Sequence, residues 1–388
     1  MVSVVATVCN RLRNRLQLEV AHTRVRAWEV SVSDSESQAR SMPTLMEVAL
    51  RAGVSKATAS RVLADSPTPV DPETASRVRL AARDLNYLPN PHARALARST
   101  SPSVGLLIHE ISNPFFSEIA SGVLAAAERH DRMVMICNTR RDPDQELRYV
   151  KEMRVMRAHA LIIAGSGFTD SGYEALLEQE LAAYRAVGGR VALLRRHPSG
   201  AVVIPDTSRG AHLVADHLLA RGHTEIGVVT GRPQLVAIQE RLVAFRERLE
   251  SAGVELTSQH SGGFSREGGR EATLTMLETH PNITAIFALN DLMAVGAIHA
   301  VHELGLRVPE DVSVVGFSDV PVASDTSPPL TTLRLPLREM GEVALETALS
   351  DEQATERTLV LGVELIDRGS TGQARPNHRV ADLGEERG

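Results

Sequence analysis

Thr44-Leu-Met-Glu-Val-Ala-Leu-Arg-Ala-Gly-Val-Ser-Lys-Ala-Thr-Ala-Ser-Arg-Val-Leu63 carries two helical periods separated by a glycine. Leu45, Val48, Ala49 and Ala52 fall at i, i+3, i+4 and i+7, one face of a short helix. Thr44 stands at its cap and Glu47 at the capping-box position, and Gly53 stops it. A second helix starts at Ser55, whose hydroxyl can cap it. Its inward face is Ala59, Val62 and Leu63, which turns Lys56, Ala57, Ser60 and Arg61 outward. Two short helices joined by Gly53-Val54-Ser55 form a helix-turn-helix, whose second helix can enter a DNA major groove. Taken alone, the same pattern also suits an ordinary helical hairpin.

The flanking sequence favours the DNA reading. Asp71 and Pro72 open a third helix whose Ala75, Val78, Ala82 and Leu85 are spaced to cover the other two. Beyond it, Asn90 can cap and Pro91 can open one or two further turns, too short to be stable alone and expected to form on DNA. Charge is distributed accordingly. Residues 42–100 hold eight Lys/Arg against five Asp/Glu, and residues 1–41 six against four, so the chain's net −6 leaves −11 on residues 101–388. A basic head on an acidic body suits a nucleic-acid binder that the net charge alone would argue against.

From Val104 onward, apolar runs alternate with helical stretches: 104–108, 133–137, 160–164, 191–194, 226–229, 283–287 and 312–317. Such runs read as buried parallel strands with crossover helices. Seven or so strands exceed one mononucleotide-binding half, so two lobes with a cleft off the strand ends are expected. The fold class is an all-α head on an α/β body.

The stretch 44–63, followed by Leu85-Asn-Tyr-Leu-Pro-Asn90 and Ala93-Arg-Ala-Leu-Ala97, resembles the lactose/galactose repressor family. Marker segments continue to about Gly372, among them Ser112-Asn-Pro-Phe-Phe116, Asp206-Thr-Ser-Arg-Gly-Ala211, Asn290-Asp-Leu-Met-Ala-Val-Gly-Ala297 and Ser327-Pro-Pro-Leu-Thr-Thr-Leu333. The resemblance implies a lambda-repressor-like DNA-binding domain over 42–90 and a hinge helix and linker over 91–101. It also implies a two-lobed, periplasmic-binding-protein-like effector and dimerisation domain over 102–372. The implied function is a sequence-specific transcription regulator, a repressor, binding near-palindromic operator DNA as a homodimer under the control of a small molecule. Lys56 and Ala57 would choose the operator, Ser55, Thr58, Ser60 and Arg61 would touch phosphates or base edges, and Thr44, Tyr87, Asn90 and Ala93 would add contacts. Ala57 departs from the longer polar side chain of some members and can offer only a methyl. Leu96 matches the leucine wedged into the minor groove at the operator centre. Its neighbours Ala95, Ala97 and two arginines give it nothing long and apolar to pack on.

Effector contacts implied by the resemblance are Phe115, Phe116, Arg241, Phe264, Asn290 and Asp291, aromatic walls with convergent polar groups that suit a sugar or a base. Plain core packing remains open for the phenylalanines, a surface helix position for Arg241, and a helix cap for Asp291. Many sugar-binding members read Leu-Ile-Asp-Arg where this chain has Leu193-Leu-Arg195-Arg196, and Gly-Phe-Asp-Asp where it has Gly316-Phe-Ser318-Asp319. Arg195 and Ser318 thus replace two carboxylates that commonly grip sugar hydroxyls, which moves the expected ligand toward a neutral or anionic sugar derivative. Loss of ligand response would leave the same pattern.

Other classes are disfavoured. An exported solute-binding protein needs a signal peptide and has no use for residues 44–98. An enzyme needs a reactive constellation, and none of the 14 histidines lies in a nucleophile, metal or paired-carboxylate spacing. Cys9 and Cys137 cannot make a disulfide framework or a metal site, so no metal or cofactor is expected and a reducing cytoplasm fits. Met1 to Cys9 is apolar but is followed by basic residues, the reverse of an export signal, and is too short to span a bilayer. Residues 1–41 read as a disordered extension or a start placed too early, with Met42 as the natural beginning. The tail 373–388 lacks leucine heptads, so no helical tetramerisation module is expected.

Overall fold

The computed structural model describes residues 43–63, 69–88, 101–350 and 357–375. The expectations for the 1–41 extension, for Asn90, Ala93 and Leu96, and for most of the 373–388 tail lie outside the described residues. The described residues form two compact units, one within 43–88 and one within 101–375.

The first unit is three helices, α1 (Leu45–Ala52), α2 (Lys56–Leu63) and α3 (Pro72–Asp84). Thr44 and Glu47 close the capping box: Glu47 N–H donates to Thr44 Oγ1 at 3.3 Å, and Thr44 N–H donates to Glu47 Oε2 at 2.6 Å. Gly53 ends α1 at φ 66°, a left-handed conformation that a side chain would disfavour. The Ser55 hydroxyl accepts from Thr58 N at 3.1 Å, and Asp71 accepts from Thr74 N at 2.9 Å. Val48, Ala49, Ala52, Ala59, Val62, Ala75, Val78, Ala81 and Ala82 fill the core, with Leu85 packed against it. Of the positions spaced for burial, Leu45, Leu63 and Leu85 are only half-buried at the rim of this core, and Ala81 joins it although the spacing did not single it out.

The second unit has two lobes. The first begins with β1 (Ser101–Ile108), α4 (Pro114–Arg129), β2 (Met133–Asn138), α5 (Pro143–Val155), β3 (Ala158–Ala164), α6 (Ser171–Ala186), β4 (Arg190–Leu194) and β5 (Ala201–Pro205). The chain then crosses to the second lobe: α7 (Thr207–Ala220), β6 (Ile226–Thr230), α8 (Val236–Ser251), β7 (Ser258–Ser261), α9 (Arg266–Thr279), β8 (Ala285–Ala288), α10 (Asp291–Glu303), β9 (Ser313–Ser318), α11 (Val322–Asp325) and β10 (Thr331–Arg334). It returns as α12 (Leu337–Leu349) and β11 (Thr358–Leu361), and crosses a third time into β12 (Glu364–Ile366).

The two sheets run β11-β5-β4-β3-β1-β2 and β12-β10-β9-β8-β6-β7. Every pairing is parallel except that of β10 with β12. Both sheets therefore reverse strand order beside their first strand, and ligands of open α/β sheets sit off the carboxyl ends at such a point. The apolar runs have a direct physical reason. Leu106, Ile108 and Ile162 pack on the α4/α12 side, while Leu107, Leu161 and Ile163 pack with Val150, Leu177 and Tyr184 on the α5/α6 side. A strand covered on both faces needs no polar alternation. Where α4 and α12 cross, a Cβ on Gly122 would lie 1.9 Å from Arg338 O, and one on Gly341 2.2 Å from Ile119 O, so the two backbones touch.

Candidate functional site

Two regions bring together the residues expected to act. In the head, Ser55, Lys56, Ala57, Ser60 and Arg61 are exposed on α2, and Thr58 is half-buried. Ser55 and Thr58 share their hydroxyls at 2.9 Å, and the Thr44 hydroxyl is bonded to Glu47, so these groups are locally oriented. Tyr87 is half-buried against the helical core.

In the second unit, residues that follow the strand ends of both lobes enclose a cavity of about 130 Å³. All eight expected effector residues line it: Phe115, Phe116 and Arg195 from the first lobe, and Arg241, Phe264, Asn290, Asp291 and Ser318 from the second. Asn113 caps α4 by accepting from Phe115 N at 3.0 Å, which sets the following phenylalanines at the helix start. Their rings meet edge to face at 5.0 Å, and His109, just after β1, stands 5.5 Å from the Phe116 ring. His109 Nε2 lies 3.3 Å from Ser166 O and Nδ1 3.1 Å from the Thr139 hydroxyl. A carbonyl can only accept, so Nε2 carries the proton and Nδ1 accepts. Burial pushes this imidazole down to about 4, so it is neutral at physiological pH. Gly165, at φ 144°, leaves room for it, since a Cβ there would lie 2.3 Å from the ring.

Geometry changes several of the expected roles. Arg195 is buried with its guanidinium 3.2 Å from Glu146 and 3.7 Å from Glu174, so its charge is balanced beneath the cleft wall. Arg195 was expected, with Ser318, to move the site toward a neutral or anionic ligand; paired in this way, its charge does not itself favour an anion. Asn290 is the cap of α10, accepting from Met293 N at 2.7 Å, so the cap is Asn290 and not Asp291. The Asp291 carboxylate instead accepts from Val320 N at 2.8 Å and from the Thr332 hydroxyl at 2.5 Å, bracing α10 against β9 and β10. Burial pushes it up to about 6. Arg241 is buried, not a surface arginine: Nη1 donates to Leu289 O, and its guanidinium lies 3.6 Å from the Phe317 ring centroid. Burial lowers it to about 9, still charged at neutral pH. Phe264 adopts φ 73°, and its ring covers Gly231, where a Cβ would come within 2.2 Å. Ser318 is buried at φ 131°.

The lobes meet directly around the cavity. Val236 N donates to Gly167 O at 3.0 Å, Thr169 N to Gln234 O at 2.9 Å, and Ala237 N to Ser166 Oγ at 3.0 Å. Arg196 pairs with Glu240 at 2.5 Å, and the Arg141 guanidinium lies 4.9 Å from the Phe264 ring centroid. His109, Arg141, Arg196 and Glu240 were not singled out from the sequence. The rule that ligands sit off carboxyl strand ends would have found the first three, each within a few residues of an expected strand.

Comparison with known proteins bears on both regions. Residues 44–90 match the model of bacterial regulatory proteins of the lacI family, and residues 215–371 that of a periplasmic binding protein-like domain. The ribose operon repressor of Halalkalibacterium halodurans is 34% identical over 82% of this chain and 92% of its own. The chain belongs to the lacI family. Within that family, the HTH-type transcriptional repressor PurR of Aliivibrio salmonicida is 31% identical over 85% of this chain and 99% of its own. The lac repressor dimer bound to operator and the anti-inducer ONPF superposes with a TM-score of 0.76 at 28% identity, covering 86% of this chain and all of that one. A complex of the transcriptional regulator CelR with cellobiose superposes with a TM-score of 0.62 at 28% identity, covering 84% of this chain and 99% of that one. As a lacI-family member the chain is a DNA-binding transcription regulator and not an enzyme. No helix among the described residues is long and apolar enough to cross a membrane.

Proposed function

We propose that this lacI-family chain is a cytoplasmic repressor that binds near-palindromic operator DNA as a homodimer, and that a sugar or sugar derivative in the interlobe cleft sets how firmly it binds. The observation that carries the reading is the exposed face of α2 on a basic three-helix head. Lys56 and Arg61 stand on it with no ion pair to any described residue. In this reading α2 lies in the major groove, Lys56 and Arg61 provide the polar base and phosphate contacts, and Ala57 offers a methyl to a thymine. Thr44, Ser55, Thr58, Ser60, Tyr87, Asn90 and Ala93 hold the register on the backbone, and Leu96 enters the minor groove between the half-sites. Two heads on one dimer match two half-sites and double the phosphate contacts. The cleft is lined by residues of two of the three chain crossings between the lobes, Pro205 and Thr207 of the first and Leu335 of the second, so a molecule that prefers one lobe arrangement shifts the population of that arrangement and with it the alignment of the two heads.

Fluorescence anisotropy of the full-length protein on near-palindromic sequences upstream of its own gene tests the DNA half. Wild type is expected to bind tightly, with affinity falling steeply as salt rises. Lys56→Ala and Leu96→Ala should each weaken binding about 10- to 100-fold. Weak binding that ignores sequence, equal in wild type and both variants, would overturn the reading.

A further inference from the structure

Four arginines line the cavity, Arg141, Arg195, Arg196 and Arg241, against two carboxylates, Glu240 and Asp291. Two of the four are neutralised internally, Arg195 by Glu146 and Glu174, and Arg196 by Glu240. Both Asp291 oxygens are held by Val320 and Thr332, and no ion pair within 4 Å joins Asp291 to Arg241. Arg241 therefore keeps a charge balanced only at longer range, by Asp291 and by the Glu240 that already pairs with Arg196, and its buried Nε has no hydrogen-bond partner. A buried donor left without a partner is costly, and a ligand oxygen could satisfy it.

Arg141 is the other uncompensated charge. Its side chain forms no hydrogen bond or ion pair with any described residue, and its contact is the Phe264 ring across the cleft. Arg232 and Glu110 act on it only from a distance and with opposite sign. Its backbone is held firmly. Arg140 and Arg141 succeed each other at φ 54° and 58°, a left-handed region that L residues with long side chains rarely adopt. Asp142 N–H donates to Thr139 O at 2.9 Å, which closes the turn between β2 and α5. A strained turn that presents an unpaired guanidinium to a ligand cleft is where backbone strain points to function.

We propose that Arg141, laid on Phe264 from the opposite lobe, forms an anion clamp with Arg241, and that the effector carries a carboxylate or a phosphate. This rests on reading the cleft as the effector site. A planar guanidinium pairs with either oxyanion through two parallel N–H bonds, and Phe264 holds Arg141 in place without neutralising it. Because Arg141 belongs to the first lobe and Arg241 to the second, an anion bound to both draws the lobes together.

Isothermal titration of the full-length protein with matched series tests this: ribose, ribose 5-phosphate and ribonate, then glucose, glucose 6-phosphate and gluconate. The expected result is binding by an acidic or phosphorylated member at least tenfold tighter than by its neutral parent, and which member binds decides between carboxylate and phosphate. Arg141→Met should remove at least tenfold of that preference, and Arg141→Lys should restore part of it, with unchanged circular dichroism melting showing that both variants fold. A neutral parent binding as tightly as its anions, or an anion preference untouched by Arg141→Met, would overturn the clamp and leave the effector site standing, provided Phe264→Ala abolishes that binding. Binding by no member, or binding indifferent to both Phe264→Ala and Arg141→Met, would overturn the clamp and the effector reading together.

Discussion

His109 has a stability consequence whose sign is set by its surroundings. The unfolded imidazole takes up a proton near its ordinary value of about 6.5, whereas burial holds the folded one down at about 4. Between those values the unfolded state binds more protons, so the contribution of His109 is complete above about pH 6.5 and is lost as pH falls through about 4. The full difference is about 3 kcal/mol. Urea unfolding at pH 7, 5.5 and 4.5 is expected to show wild type losing stability faster on acidification than His109→Gln. Equal slopes in the two proteins would show that the imidazole is not held neutral. How legible such side chains are in sequence depends on their partners. Arg195 stood out because it replaces a carboxylate, but Glu146 and Glu174, far away in sequence, neutralise it. Arg141 did not stand out, because what isolates its charge is a contact with Phe264 on the other lobe. Residue type could be read; which charges find a partner could not.

Helices announce themselves through their ends and strands through their burial, which explains what was legible at the next level up. The three head helices follow from caps and period, because Thr44, Gly53, Ser55 and Asp71 act on backbone groups no more than a turn away. The seven expected strands are those with long apolar runs; two of them start a little late, at Ala285 and Ser313. Of five more strands, β5 was missed although Ala201-Val-Val-Ile204 is a buried apolar run, and β7, β10, β11 and β12 carried too little signal. β7 reads Ser-Gln-His-Ser at a sheet edge, and β11 alternates exposed and half-buried residues. Their pairing comes from neighbours already in place and not from their own hydrophobicity. The α4/α12 crossing is another tertiary feature, and it can be tested. Gly341→Ala would drive a methyl into the Ile119 carbonyl and the Val123 amide, backbone atoms that cannot rotate away. A loss of about 1–3 kcal/mol in urea unfolding is expected, whereas Gly362→Ala, with open space around it, should change little. Equal effects of the two substitutions would show that the helices do not touch there.

The two-lobed unit holds its cleft closed by contacts of very different strength. The backbone bonds between 167–169 and 234–236 together make an antiparallel bridge between Phe168 and Leu235, and Leu235 is buried. Arg196 and Glu240 are more exposed, and a pair in that position contributes at most about 1 kcal/mol. Breaking it should therefore loosen the lobes without unfolding either one. Hydrogen exchange gives a direct readout, because the amides of Val236 and Thr169 donate across the cleft while Leu107 lies within a sheet of one lobe. In Glu240→Ala, exchange at Val236 and Thr169 is expected to rise by up to about fivefold, the equivalent of about 1 kcal/mol, with exchange at Leu107 unchanged. Added salt should produce a smaller rise of the same kind in wild type and none in the variant, since it screens only the pair that the variant lacks. Faster exchange at all three amides together would mean that Glu240 supports the lobe itself. A rise at the cleft amides alone makes lobe opening an equilibrium that a single exposed ion pair adjusts, and that a molecule bound between the lobes can adjust further.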